Sequence, residues 1–508
     1  MEFLTGFWSN LTLGFGVAVT PLNLLLAFVG VFVGTLIGVL PGIGPMTGVA
    51  LLIPLTFSLK PTSAIILMAG IYYGAMYGGS TTSILLNTPG ESSSVVTCLD
   101  GYQMAKKGRA GPALAAAAIG SFVAGTFATL MLMLFGPWVA GIALKFGPPE
   151  FFSLMVAGLT VVTSLAGRSL VKALLSTLFG LAIATIGIDN QSGVPRFTFG
   201  NPELMDGLEF LTVAIGLFAL GEVFVNLADM KEAVQERLSI KGGLWLTKAD
   251  WKRFIPSCIR GTLSGFFVGG VAGAGASVAS FVSYGLEKRV SKYHDEFGKG
   301  AIEGVIGPES ANNAAAGGAL IHLLCLGIPG SGATAIMLGA LLMIGLQPGP
   351  LLFIQQPDFV WGLIASMYIG NVALLILNLP LVGMWVKILD IPFYLLMLFI
   401  ILFSFLGVYT MNNSAQDLYL MVGFGVIGYL MKRVDIPAAP IILGIVLGRL
   451  MEEKMRQSLV ISDGSLMIFV TRPISLFLLL LAVVAITNPY WKQIGRGVRR
   501  LFGGAPAA

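Results

Sequence analysis

Charge is what this chain has least of. Only 11% of its 508 residues are Asp, Glu, Lys or Arg, against 56% hydrophobic ones, and the mean hydropathy is +0.87. Cys98, Cys258 and Cys325 are odd in number, far apart and without metal-ligand spacing, which argues against a disulfide framework. His294 and His322 are too few to complete a zinc site, so metalloenzyme chemistry falls early. Met1 to Thr20 contains no Lys or Arg, so the pattern of a cleavable signal peptide is missing. No short segments of alternating polarity occur, which excludes a β-barrel. The net charge of +5 needs no nucleic-acid partner, because basic cytoplasmic loops account for it.

What the chain does have is apolar runs longer than about eighteen residues, recurring from end to end. They predict an all-α polytopic membrane protein. Its 66 glycines suit close-packed, interrupted membrane helices better than linkers. Two runs are broken in the same way, at Asn87-Thr88-Pro89-Gly90-Glu91-Ser92-Ser93-Ser94 and at Gly327-Ile328-Pro329-Gly330-Ser331-Gly332-Ala333-Thr334. Proline removes a backbone donor, and glycine tolerates an unwound segment. Unwound backbone in hydrocarbon must be buried in protein or line a wet cavity.

The order of segments around the breaks repeats. Residues 22–40 and 46–59 flank Pro41-Gly42-Ile43-Gly44-Pro45, and 62–86 leads into the first break. In the second half, 257–283 is interrupted by Gly269 to Gly275, and 310–326 leads into the second break. Four spans follow each break. Gly34-Thr35-Leu36 echoes Gly261-Thr262-Leu263, Gly42 and Gly44 echo Gly273 and Gly275, and Gly111-Pro112 echoes Gly349-Pro350. The expected division is a first membrane repeat over 1–228, a polar interfacial linker over 229–254, and a second repeat over 255–455. An extra transmembrane helix and a basic tail occupy 456–508.

Lysine and arginine orient the halves. Lys248, Lys252, Arg253 and Arg260 precede the 257–283 hairpin, and Lys288, Arg289, Lys292 and Lys299 follow it, so both its ends should be cytoplasmic. The 22–59 hairpin is followed only by Lys60, so its ends should lie outside. Lys106, Lys107, Arg109, Lys432, Arg433 and the C-terminal tail then fall inside, and the loop from Asp189 to Glu209 outside. Arg449, Lys454 and Arg456 are the misfits. The expected architecture is two inverted-topology repeats with re-entrant hairpins and broken helices, an arrangement typical of secondary transporters.

At this point three runs carry a resemblance: 38–45 (Gly-Val-Leu-Pro-Gly-Ile-Gly-Pro), Tyr72 to Gly90, and 307–314 (Gly-Pro-Glu-Ser-Ala-Asn-Asn-Ala). They are similar to the large membrane subunit of tripartite tricarboxylate transporters, over nearly the whole chain. The resemblance implies a carboxylate carrier of the bacterial inner membrane; the apolar runs and the charge pattern add that it is multi-pass with a cytoplasmic C-terminus. It also implies two partners, a small integral-membrane subunit and a periplasmic solute-binding protein, and drive by an ion gradient. The absence of a P-loop pattern agrees with that drive. The rival classes are an intramembrane enzyme, which would need convergent catalytic groups at membrane depth, and a channel.

Candidate residues follow from the breaks. Free N–H groups opening the next half-helix attract anions. Substrate contacts are therefore expected at Asn87, Thr88, Pro89, Gly90, Ser92, Ser93 and Ser94, and at Gly327, Pro329, Gly330, Ser331, Gly332 and Thr334. The alternative is a pair of structural kinks. The hairpin tips Gly42, Gly44, Gly273 and Gly275 either line the same site or are helix contacts. Ser80, Thr81, Thr82, Asn312 and Asn313 are candidate ligands for a sodium ion, the expected coupling ion, or else interhelical hydrogen bonders. Sodium is preferred to protons because no paired deep carboxylates stand out. Glu91, an ionisable group at membrane depth, could couple protons, yet its carboxylate would repel an anionic substrate; the alternatives are that it faces water or caps a half-helix. His322 is expected to be packed rather than a proton carrier, and Glu222 to pair with Arg449.

Overall fold

The computed structural model describes residues 2–40, 43–165, 169–189, 191–228, 243–270, 275–388 and 393–487. Pro41, Gly42 and Gly273, most of the linker and the basic tail lie outside the described residues.

The chain is helical throughout, with one two-residue antiparallel ladder, β1 (Gly187–Ile188) with β2 (Pro195–Arg196), among the described residues. The first half comprises α1 (Glu2–Ala18), α2 (Pro21–Val39), α3 (Pro45–Thr56), α4 (Pro61–Leu86), α5 (Val95–Lys106), α6 (Ala110–Ala143), α7 (Pro148–Leu165), α8 (Leu170–Ala184) and α9 (Phe210–Ala228). The second comprises α10 (Lys248–Gly269), α11 (Gly275–Val290), α12 (Glu303–Ile321), α13 (Gly332–Met343), α14 (Pro357–Asn378), α15 (Phe393–Asn412), α16 (Ala415–Arg433), α17 (Ala439–Ile461) and α18 (Pro473–Thr487). Helices α2, α6, α9 and α14 are long and apolar enough to cross a membrane. By contrast α3 and α13 have 12 residues each, about 18 Å against a hydrocarbon core of about 30 Å. They are half-helices.

Two helices form the centre. Every residue from Ser63 to Leu85 of α4 and from Glu303 to Leu320 of α12 is buried. A helix buried all round needs no polar stripe, which is why these segments show no amphipathic pattern in sequence. Glycine sets how closely their partners approach. A Cβ on Gly30, Gly34 or Gly38 of α2 would lie 2.6, 2.5 and 2.2 Å from the carbonyl oxygens of Leu67, Ile71 and Ala75 in α4. On Gly261, Gly265 or Gly269 of α10 it would lie 2.4, 2.3 and 2.3 Å from backbone atoms of Gly307, Ala311 and Ala315 in α12. Both ladders recur every fourth residue, one helical turn, so the two backbones run in contact.

These ladders bear on the register of the expected repeat. Gly30 corresponds to Gly261 and Gly34 to Gly265, so the echo of Gly34-Thr35-Leu36 in Gly261-Thr262-Leu263 is displaced by one turn. The pairing of Gly111-Pro112 with Gly349-Pro350 also fails: Gly111 sits in the first turn of α6, whereas Gly349 (φ 147°) lies in a loop before α14. The halves interlock reciprocally. Helix α6 packs on α12 as α14 packs on α4, and α8 packs on α17 as α16 packs on α9.

The misfit arginines have partners. Helix α17 runs on to Ile461, past the span expected over about 437–451, and carries them to the β1–β2 loop. There Arg456 meets Asp189 (3.1 Å) and Glu452 (2.5 Å), and Arg196 grips Glu452 with two bonds (2.8 and 3.2 Å). Arg449 donates to the Asp206 carbonyl (3.1 Å) and Glu222 pairs with Lys432, so the expected Glu222–Arg449 pair is incorrect.

Candidate functional site

Both breaks are built to one plan. Helix α4 ends in Asn87, held left-handed at φ 54°, and the π turn His322–Leu326 that follows α12 ends in Gly327 at φ 69°. Asparagine and glycine are the residues that tolerate this cap. After the Pro-Gly pair, Glu91 (φ −146°, ψ 171°) and Ser331 (φ −155°, ψ 169°) are extended N-caps. Each donates its N–H to the hydroxyl three residues on: Glu91 to Ser94 at 3.3 Å, Ser331 to Thr334 at 2.8 Å. A Cβ on Gly90 would meet the Gly38 carbonyl oxygen at 2.0 Å, and one on Gly330 the Ala319 Cα at 2.6 Å, so both breaks need glycine for close approach.

The breaks share a cavity of about 650 Å³. Pro89, Gly90, Glu91 and Ser92 line it from the first break, Ser331, Gly332 and Ala333 from the second. The hairpin tips contribute Gly44, Pro45 and Met46 on one side and Gly275, Ala276 and Ser277 on the other. Four helices therefore begin at this cavity: α3, α11 and α13 directly, and α5 through the 3₁₀ turn Ser92–Ser94. The hydroxyls interlink across it. Ser92 Oγ lies 2.6 Å from Ser277 Oγ, and Tyr72 Oη lies 3.2 Å from Ser331 Oγ. Lys432, paired with Glu222, stands on the wall beside Ile436 and Pro437.

Other predicted residues turn away. Ser93 is buried against Glu91, and Ser94 and Thr334 are consumed by the capping hydrogen bonds. Gly327 faces a separate cavity of about 350 Å³, with Pro348, Gly349 and Lys454. Asn87, Thr88, Pro329 and Gly330 shape the turns without lining the shared cavity.

The candidate sodium ligands do not form one group. Thr82 donates to its own helix at Gly79 O (3.2 Å), and Asn313 donates to Ser121 Oγ (2.7 Å) and Glu309 O (3.1 Å). Ser80 and Asn312 instead meet buried carboxylates. Ser80 donates to Glu309 (2.6 Å), as does Thr97, and Asn312 Nδ2 donates to Glu91 (3.3 Å). Thr81 is buried nearby. Glu91 caps the turn, as expected, and His322 is packed with its ring nitrogen 3.2 Å from Gly318 O. The premise that no paired deep carboxylates stand out is corrected: Glu91 and Glu309 are both buried and tied to the same face of α12.

Sequence reasoning missed Tyr72, Thr97, Ser277, Glu309 and Lys432. Glu309 carried a signal, being an ionisable residue inside a span. Ser277 and Thr97 carried none, because a hydroxyl on an apolar helix is more often an ordinary interhelical bond.

Residues 24–443 match the family described as "Tripartite tricarboxylate transporter TctA family". The chain is 50% identical over 480 residues to a protein of Agrobacterium vitis described as an uncharacterized 52.8 kDa protein in the TAR-I ttuC' 3' region, covering 94% of this chain and 95% of that one. It is also 49% identical over 222 residues to an uncharacterized protein in the TAR-II ttuC' 3' region of the same organism, covering 44% of this chain and 92% of that one. No solved structure matches. With a multi-pass helical body, paired broken helices around one cavity and a match across most of its length, this chain belongs to the tripartite tricarboxylate transporter TctA family.

Proposed function

We propose that the chain carries out secondary active uptake of a carboxylate, a tricarboxylate such as citrate or a related organic acid, across the bacterial inner membrane. It works with a small membrane subunit and a periplasmic binding protein, and an ion gradient drives it. One observation carries the reading: four helix N-termini open onto one cavity whose side-chain donors are mostly neutral hydroxyls. Each N-terminus presents unsatisfied N–H groups and about half a positive charge. A ligand with more than one carboxylate suits such a ring, and neutral donors release it more readily than a buried arginine would.

In this reading the two halves are inverted repeats, which sets the direction of access. The charge pattern sets Lys432 on the cytoplasmic side, so the shared cavity opens inward in this conformation. The smaller cavity at Gly327 lies on the outer side of the second break. Movement of the hairpins and broken helices past the remaining helices, as an elevator, would exchange the two. Single cysteines at positions 60 and 288 of a thiol-free variant test the topology: an impermeant reagent applied outside should label position 60 alone, and labelling of both removes the inverted repeat.

The binding site is tested by calorimetry with a panel of di- and tricarboxylates on purified protein. Ser331→Ala should weaken the preferred ligand by about ten- to a hundredfold, the loss of one hydrogen bond to a charged group. Unchanged affinity in Ser331→Ala and Ser92→Ala, in folded protein, would place the site elsewhere.

A further inference from the structure

Behind the first break lies a cluster that anion binding does not explain. Glu91 and Glu309 are 7% and 1% exposed, and each is met by neutral donors alone: Ser93 and Asn312 at Glu91, Ser80 and Thr97 at Glu309. Among the described residues, none of the ion pairs includes either carboxylate. Uncompensated carboxylates at membrane depth are strongly unfavourable, so something the described residues do not supply must neutralise them.

Asn312 points to what that is. It is 1% exposed, its Nδ2 donates to Glu91, and its Oδ1 is buried without a hydrogen-bond partner. A buried acceptor without a donor needs an explanation, and this one belongs to the side chain that already holds Glu91. Glu309 and Asn312 are three residues apart on α12, hence on one face, with Ser80 of α4 and Thr97 of α5 closing around Glu309.

We propose that Glu91, Asn312 and Glu309 form the coupling-cation site, which takes up one small hard cation, sodium or a proton. Glu91 joins this cluster to the substrate cavity, since its side chain belongs to the first and it also lines the second. Without the cation, the Glu91 charge opposes an incoming anion; with it, the opposition goes. The two bindings are then coupled reciprocally, and each ligand raises the affinity for the other by the same factor. The coupling, though not the cation site itself, rests on the reading of the cavity as an anion site.

Purified full-length protein would be unfolded thermally in sodium or choline chloride of equal ionic strength, at acid and at alkaline pH, with radioactive sodium binding measured in parallel. Saturable sodium binding and a sodium-dependent rise in Tm are expected for a sodium site, and a rise on acidification alone for a proton site. Glu309→Gln and Glu91→Gln should lower cation affinity at least tenfold and lose the response. In choline buffer Glu309→Gln should unfold at or above the wild-type temperature, because an uncompensated charge is gone. Should a glutamine variant not fold, Ser80→Ala and Asn312→Ala are used instead, with a several-fold loss expected. Ser331→Ala separates the two readings: it should keep the cation response while losing anion affinity. A wild type that responds to neither cation, or glutamine variants that respond as wild type does, would overturn the proposal.

Discussion

The two breaks have the same backbone and different chemistry. At matching positions the first has Glu91 as N-cap where the second has Ser331, and Asn312 reaches the first cap as Tyr72 reaches the second. Behind the first cap stands Glu309; the corresponding residue of α4 is Ala69. Backbone geometry has been kept in both halves because Gly30 to Gly38 and Gly261 to Gly269 hold the central helices at backbone contact. Side chains that face the breaks are not bound by that contact. The difference teaches that one scaffold presents helix N-termini from both halves, while buried negative charge enters from one.

The largest expected effect comes from removing this asymmetry. Ser331→Glu would put a carboxylate at the second cap, facing the cavity that Glu91 already lines. Carboxylate binding by calorimetry should fall by more than about a hundredfold, beyond the loss of a single hydrogen bond. Retained binding would show that the caps do not face the substrate.

A second asymmetry is structural. Asp100 of α5 is fully buried, and its Oδ1 accepts the N–H groups of Gly298, Gly300 and Ala301 at 2.9, 2.7 and 2.8 Å while Tyr284 donates to Oδ2 at 2.9 Å. The matching residue of α13 is Ala340. Asp100→Asn should therefore cost about 1.5–3 kcal/mol, read as a lower Tm together with faster proteolysis within 292–300. No change in either would mean that the loop is held by other contacts.

Tyr72→Phe tests the second cap gently. It removes only the hydroxyl 3.2 Å from Ser331, about 0.5–1.5 kcal/mol or roughly a two- to tenfold change in carboxylate affinity. A loss larger than that of Ser331→Ala would mean that Tyr72 itself touches the substrate.

The smallest effect belongs to the β1–β2 loop. The Ser192 hydroxyl, the Gln191 N–H and Arg456 hold the Asp189 carboxyl down to about 2. A carboxyl lowered on folding stabilises the folded loop above its unfolded value of about 3.9, and that stability is lost as pH falls towards 2. Hydrogen exchange at residues 187–196 should rise over that interval in wild type and be already raised in Asp189→Asn at neutral pH. A wild-type profile flat from pH 4 to about 2 would refute the assignment.

Composition and pattern alone determined the helical membrane class and the positions of both breaks, because proline, glycine and long apolar runs act through local backbone physics. The register of the glycine ladders needed the packed structure: small residues recur often, and only contact shows which glycine of α2 faces Ile71. The same holds for the side chains at the site. Ser92 and Ser93 are alike in sequence, yet a 3₁₀ turn sends one to Ser277 across the cavity and the other to Glu91. Glu309 was legible as a charge inside a span, but its lack of a counter-charge was not. That depends on Ser80 and Thr97 arriving from two other helices, and tertiary packing alone decides which neighbours a buried carboxylate meets.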